Sequence, residues 1–145
     1  MDASTADALA GAGVFSALTR EQREVLVGEA EVARHDPGEA LTEEGAVGHR
    51  FHLLLDGAAV VERGGSEVGS LGPGDFAGEI ALLGGGKATA TVRATQPTRC
   101  LTLGRERFWS VLEREPAIAL RILEAVCRRL EAEATAAGNL RGAAP

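Results

Sequence analysis

Apolar positions along this chain follow two different periods, and the period changes twice. Between Thr19 and about Glu31 the apolar positions Val25, Leu26 and Ala30 fall on one side of a helix. Thr19-Arg20-Glu21-Gln22 has the spacing of a capping box, in which the Thr hydroxyl and the Gln amide satisfy opposite orphan donors. Phe15 and Leu18 precede it as a hydrophobic anchor. From Val32 to Gly104 short apolar runs are cut by Asp36-Pro37-Gly38, Asp56-Gly57, Gly64-Gly65 and Gly72-Pro73-Gly74-Asp75. This punctuation predicts strands near 32–35, 39–42, 51–55, 58–63, 67–71, 88–94 and 98–103. Asp-Gly between two strands favours a tight primed hairpin, because Gly tolerates positive φ. After Gly104 the helical period returns. Arg105 to about Glu113 carries Phe108, Trp109 and Leu112, and Pro116 suits the first turn of a further helix. Ile118, Ile122, Leu123, Val126 and Leu130 form an amphipathic stripe on that helix, which is expected to end near Glu133.

These elements predict a mainly β fold with flanking helices: an antiparallel, jelly-roll-like β-roll between an N-terminal helix and C-terminal lid helices. A chain of 145 residues is one domain's worth. Residues 1–12 are expected to be a flexible Ala-, Gly- and Asp-rich lead-in, 13–135 the domain and 136–145 a flexible tail.

Composition narrows the function. The formal net charge of −6 argues against direct nucleic-acid binding, which needs clustered Lys and Arg; Arg121, Arg128 and Arg129 are interleaved with glutamates. The N-terminus lacks the basic start and apolar core of a secretory signal, and no run approaches the roughly 18 apolar residues of a membrane span, so no membrane association and a cytoplasmic location are expected. Cys100 and Cys127 form no CxxC pair and are expected to be small buried or half-buried side chains. Phe108 and Trp109 are expected in the core. His35, His49 and His52 offer no metal-ligand spacing. Gly86-Lys87 is not a Walker A loop, because Ala81 and Ala88 stand where Gly and Ser or Thr are required. No Gly-x-Ser-x-Gly elbow is present. Neither an enzyme nor a cofactor is indicated.

The most informative stretch runs from Gly78-Glu79-Ile80-Ala81-Leu82-Leu83 through Gly84-Gly85-Gly86 to Lys87-Ala88-Thr89-Ala90-Thr91-Val92. A short helix over 79–83 would aim its first amides at an anion, while an acidic side chain there suits sugar hydroxyls. A ligand with both a sugar and a phosphate uses both features. A capped turn with a glycine hinge between two strands uses neither, and spacing alone leaves both open.

Leu71-Gly72-Pro73-Gly74-Asp75-Phe76-Ala77 running into Gly78-Glu79-Ile80-Ala81-Leu82-Leu83 resembles the approach to the phosphate-binding cassette of cyclic-nucleotide-binding domains. Such domains occur in bacterial catabolite-activator-type regulators, protein kinase A regulatory subunits and cyclic-nucleotide-gated channels. The likeness extends from about Phe15 to Leu130 and includes the Phe-Ser-x-Leu-Thr opening, the Asp-Gly hairpin and Phe108. It implies that Glu79, after Gly78, binds a ribose 2′-hydroxyl, that amides near Ile80 and Ala81 hold a cyclic phosphate, and that the last helix is a lid.

One departure stands out. Where the family has Pro-Arg, this chain has Lys87-Ala88, so the phosphate-clamping arginine is missing. An arginine fork is the strongest polar contact a phosphate pocket offers, and its loss would cost roughly a hundredfold or more in affinity. Lys87 is the candidate to replace that clamp. In an extended segment it should point away from the direction of residue 88, but the three preceding glycines could relax that rule and let its ammonium reach the phosphate. Thr89 retains a hydroxyl, and a threonine there contacts guanine in some family members, a lean toward cyclic GMP. The expected function is a regulatory module that binds cyclic AMP or cyclic GMP. It would signal through Ile122, Leu123, Val126 and Leu130 to a protein partner or a second copy. The alternative is the same fold with nucleotide binding lost, acting as an interaction module. The chain is also expected to end before a DNA-reading helix-turn-helix could fit.

Overall fold

The computed structural model describes Leu9 and residues 13–142. The expected lead-in, 1–12, lies outside the described residues apart from Leu9, as do the last three residues of the expected tail. A 3-10 turn, Val14–Ala17, delivers buried Phe15 and leads to Thr19. The Thr19 hydroxyl accepts from the Gln22 amide at 3.2 Å and the Gln22 side chain accepts from the Thr19 amide at 2.8 Å, closing the capping box of α1 (Arg20–Glu29). Leu26 and Val27 are its buried positions; Val25 is only half-buried.

The strands are β1 (Glu31–His35), β2 (Ala40–Thr42), β3 (Arg50–Asp56), β4 (Ala59–Arg63), β5 (Ser66–Leu71), β6 (Phe76–Ala77), β7 (Thr91–Ala94) and β8 (Thr98–Gly104). They form two antiparallel sheets in the orders β1-β8-β3-β6 and β2-β7-β4-β5. A short helix, α2 (Glu79–Leu83), follows β6, and α3 (Arg105–Arg114) and α4 (Pro116–Gly142) close the chain. The antiparallel β-roll with flanking helices is therefore present.

Two cores share the first sheet. Phe51 and Leu53 of β3, with Leu101 and Leu103 of β8, face the helices and pack with Phe15, Leu26, Phe76, Phe108 and Ile118. The alternate positions, Leu54 and Cys100, face the second sheet and meet Leu41, Ala59, Leu71 and Val92. This is the period-two alternation of a strand with both faces buried, which explains the nearly continuous apolar run Phe51–Leu55.

Several elements depart from the sequence pattern. β6 has two residues, too few to leave a periodic signal, yet it completes the first sheet through Leu53 and His52. Residues 88–90 are not regular strand; Ala88 instead exchanges backbone hydrogen bonds with Gly45 and Ala46 at 2.8 and 2.9 Å. α4 continues to Gly142, well past Glu133, because Ala-rich sequence supports helix without needing an apolar face. Trp109 is 41% exposed while Phe108 is buried, since adjacent residues on a helix cannot share a face. Cys127 is exposed on α4, whereas Cys100 is buried between the sheets, where lost solvation pushes its thiol up to about 12.

The inner face carries one buried base. His52 is 5% exposed, with its ring 5.9 Å from that of His35, and its Nδ1 has no hydrogen-bond partner among the described residues. Burial first, then the neighbouring His35 and Arg50, lower its pKa from 6.5 to about 4. Between these values the unfolded chain binds more protons than the folded one. The contribution of neutral His52 to stability is thus complete above about pH 6.5 and is lost as pH drops toward 4. The loss should reach on the order of 3 kcal/mol. Urea unfolding of the protein and of His52→Leu at pH 7 and pH 4.5 tests this. The variant should lose much less stability on acidification, and parallel losses would mean another group is responsible.

Candidate functional site

Between the second sheet and α4 lies a cleft of about 510 Å³. β4, β5 and β7 give its walls, the Phe76–Ala81 segment one end, and Val126, Arg129, Leu130, Ala132 and Glu133 of α4 its cover.

The chain folds sharply at Gly78 to present Glu79. Gly78 has φ +93°, and a Cβ there would come within 2.2 Å of the Arg50 carbonyl oxygen, so only glycine fits between β3 and α2. On the other side, a Cβ on Gly48 would meet the Ala81 Cβ at 2.2 Å, which lets α2 lie directly on the loop before β3. The carbonyl end of α2 is held by α3: Arg105 Nη1 and Trp109 Nε1 each donate to the Leu82 carbonyl at 3.2 Å. These contacts fix the five-residue helix, which is too short to persist alone.

Glu79 is 4% exposed. Arg129 Nη1 donates to its Oε1 at 2.8 Å, and Nη2 donates to the Phe76 carbonyl at 2.8 Å. The same guanidinium lies over the Phe76 ring, 4.3 Å from its centroid. Burial lifts the Glu79 carboxyl above the ordinary carboxylate range, and the Arg129 charge opposes that shift without cancelling it. At the opposite end of the cleft Arg63 Nε donates to the Thr89 carbonyl at 3.1 Å, and its Nη1 to Glu133 of α4 at 3.2 Å. Two arginine–glutamate pairs thus tie α4 to the roll across the cleft.

Of the residues singled out in the sequence, Gly78, Glu79, Ile80, Ala81, Ala88, Thr89, Val126 and Leu130 line this cleft. Lys87 does not: it is exposed, and its backbone bridges to Val47. Ile122 is buried in the helix-side core, and Leu123, 57% exposed, borders a separate apolar groove with Ile80, Leu83 and Trp109. Sequence reasoning missed Arg63, Phe76 and Arg129 as cleft residues. Phe76 follows the Gly-Asp turn directly and could have been found there; Arg63 and Arg129 act on Thr89 and Glu79, far along the chain, which leaves no local signal.

Among the described residues no group of three or more His, Cys, Asp or Glu is placed to hold a metal ion, and no helix is long and apolar enough to cross a membrane.

Comparison with known proteins gives this geometry a family. Over 99 residues, 68% of its length, the chain is 36% identical to a cAMP-dependent protein kinase regulatory subunit from Hypocrea atroviridis, of which it covers 21%. It is 36% identical over 104 residues, 72% of its length, to a cGMP-dependent protein kinase from Toxoplasma gondii, of which it covers 10%. The chain thus spans only about a fifth and a tenth of the length of these two curated relatives. The crystal structure of the Thermus thermophilus catabolite activator protein matches 88% of this chain and 62% of its own with a TM-score of 0.78 at 26% identity. Residues 32–115, more than half of the chain, match the family model of the cyclic nucleotide-binding domain, and the chain belongs to that family.

Proposed function

We propose that this chain is a cytoplasmic sensor module that binds a cyclic nucleotide in the cleft under α4 and signals through that helix. The observation that carries this reading is the buried Glu79 carboxylate, aimed into a cleft whose other walls are apolar strands and whose cover is a helix. A carboxylate whose one side-chain partner among the described residues is Arg129 retains lone pairs for sugar hydroxyls. Ile80 and Ala81 lie in the first turn of α2, where amides have no partner within the helix, and Thr89 borders the same space. Ala88 sits at the cleft but contributes no charge, so binding is expected to be weaker than an arginine at that position would give.

Signalling follows from the cover. Arg129 joins Glu79 and Phe76 to α4, so a ligand that shares Glu79 acts directly on the helix. Leu120, Leu123 and Leu130 are exposed on α4 and are the side chains we assign to contact with a partner protein or a second copy. One observation favours a second reading, an interaction module without nucleotide: the exposed groove of Ile80, Leu83, Trp109 and Leu123 adjoins the cleft and would serve a partner protein without any ligand.

Three measurements separate these readings. Titration calorimetry with cyclic AMP and cyclic GMP should show Glu79→Gln weakening binding by about 10- to 100-fold, the range for a hydrogen bond to a charged acceptor. Unaltered affinity would place the ribose elsewhere. Ala88→Arg should tighten binding by roughly 30-fold or more through a forked phosphate contact. A well-folded Ala88→Arg protein that binds neither nucleotide at millimolar concentration would sink the sensor reading. Hydrogen exchange in residues 116–133 should slow at saturating ligand if α4 is a cover that ligand steadies. Unchanged exchange there would favour a helix docked independently of ligand.

A further inference from the structure

We propose that Arg63, at the end of β4, takes the anionic group of the cleft ligand, supplying the cation that position 88 lacks. This inference rests on the cyclic-nucleotide reading above. The cleft lining contains two arginine side chains among the described residues, Arg63 and Arg129. Arg129 is committed: it holds the buried Glu79 carboxylate and the Phe76 carbonyl, and moving it would leave a carboxylate that is 4% exposed without its counter-charge. Lys87 is exposed and outside the lining.

Arg63 is differently placed. Strand alternation puts it on the same face of β4 as Val61, toward the cleft, and both residues line it. Its Nε is anchored on the carbonyl of Thr89, the residue next to Ala88, at 3.1 Å. The charge-bearing contact is with Glu133 at 3.2 Å, and the two side chains are 41% and 55% exposed. An ion pair so open to water contributes little, so exchanging Glu133 for a phosphate costs little. The exchange keeps the Thr89 anchor and leaves the remaining N–H groups free to form a fork on phosphate oxygens. It also frees Glu133, which couples arrival of the anion to the cover helix: phosphate and Glu133 compete for one guanidinium.

The test is calorimetry on the full chain with cyclic AMP and cyclic GMP, and with adenosine and guanosine as phosphate-free probes. Arg63→Gln should weaken cyclic-nucleotide binding by about 10- to 100-fold while leaving nucleoside binding unchanged. Glu133→Gln, which removes the competitor, should strengthen it severalfold. Ala88→Arg should gain more in the Arg63→Gln background than in the natural protein, because the two arginines would serve one group. If Arg63→Gln binds cyclic nucleotide as tightly as the natural protein does, the assignment of Arg63 is wrong and the sensor reading stands. Equal losses of nucleoside and nucleotide binding would mean that Arg63 shapes the cleft rather than holding the anion. A natural protein that binds neither cyclic nucleotide removes the reading beneath both. Thermal unfolding of each variant identifies any loss of affinity that comes from misfolding.

Discussion

β3 and β8 pair from Arg50 opposite Gly104 to Asp56 opposite Arg99, and the side chains they send to either side build the two hydrophobic layers of the domain. A slip of one residue in this pairing would turn Phe51 and Leu53 toward the second sheet and His52 and Leu54 toward the helices. Both cores would fail together. The other parts of the fold hang from this register: β1 and β6 extend the sheet at its edges, and β6 leads straight into Gly78 and the cassette helix. The position of Glu79 is therefore fixed by the packing of the sheet rather than by the loop that carries it.

Placing a carboxylate there has an electrostatic consequence. Glu79 is nearly as buried as the core side chains, and burial disfavours its charge. Arg129 provides the opposite charge and at the same time covers Phe76, which belongs to the helix-side core through Phe15 and Phe51. One side chain on α4 thus touches the acid, a backbone carbonyl and the aromatic floor. Glu133 makes a second link to the roll, but both of its charges face water. The two links differ in strength, since a desolvated pair resists separation far more than a hydrated one.

Much of this was legible in the residues themselves. The capping box at Thr19, the glycine-marked hairpins and the return of helical period at Arg105 each rest on local chemistry, and local chemistry is what a sequence displays directly. The Gly-Glu step at 78–79 was equally readable, because a positive-φ glycine before an acidic helix start is a local event. Arg63 and Arg129 were not. Each acts on a residue far along the chain, Thr89 and Glu79, and nothing in its own surroundings separates it from an ordinary surface arginine. Trp109 was misplaced for a related reason. A large aromatic beside Phe108 suggests core, but the helix turns it outward, where its indole N–H reaches the end of α2.

That indole gives the domain a built-in optical probe. The chain contains one tryptophan and no tyrosine, so emission excited at the long-wavelength edge of indole absorption, where phenylalanine does not absorb, comes from Trp109 alone. The ring is partly open to water and hydrogen-bonded to the last turn of α2, within the groove that Ile80, Leu83 and Leu123 share. Any shift of α2 against α3, or of α4 across that groove, changes the polarity and contacts around the fluorophore. Events at Glu79 can therefore be followed by intrinsic fluorescence in the unlabelled natural sequence.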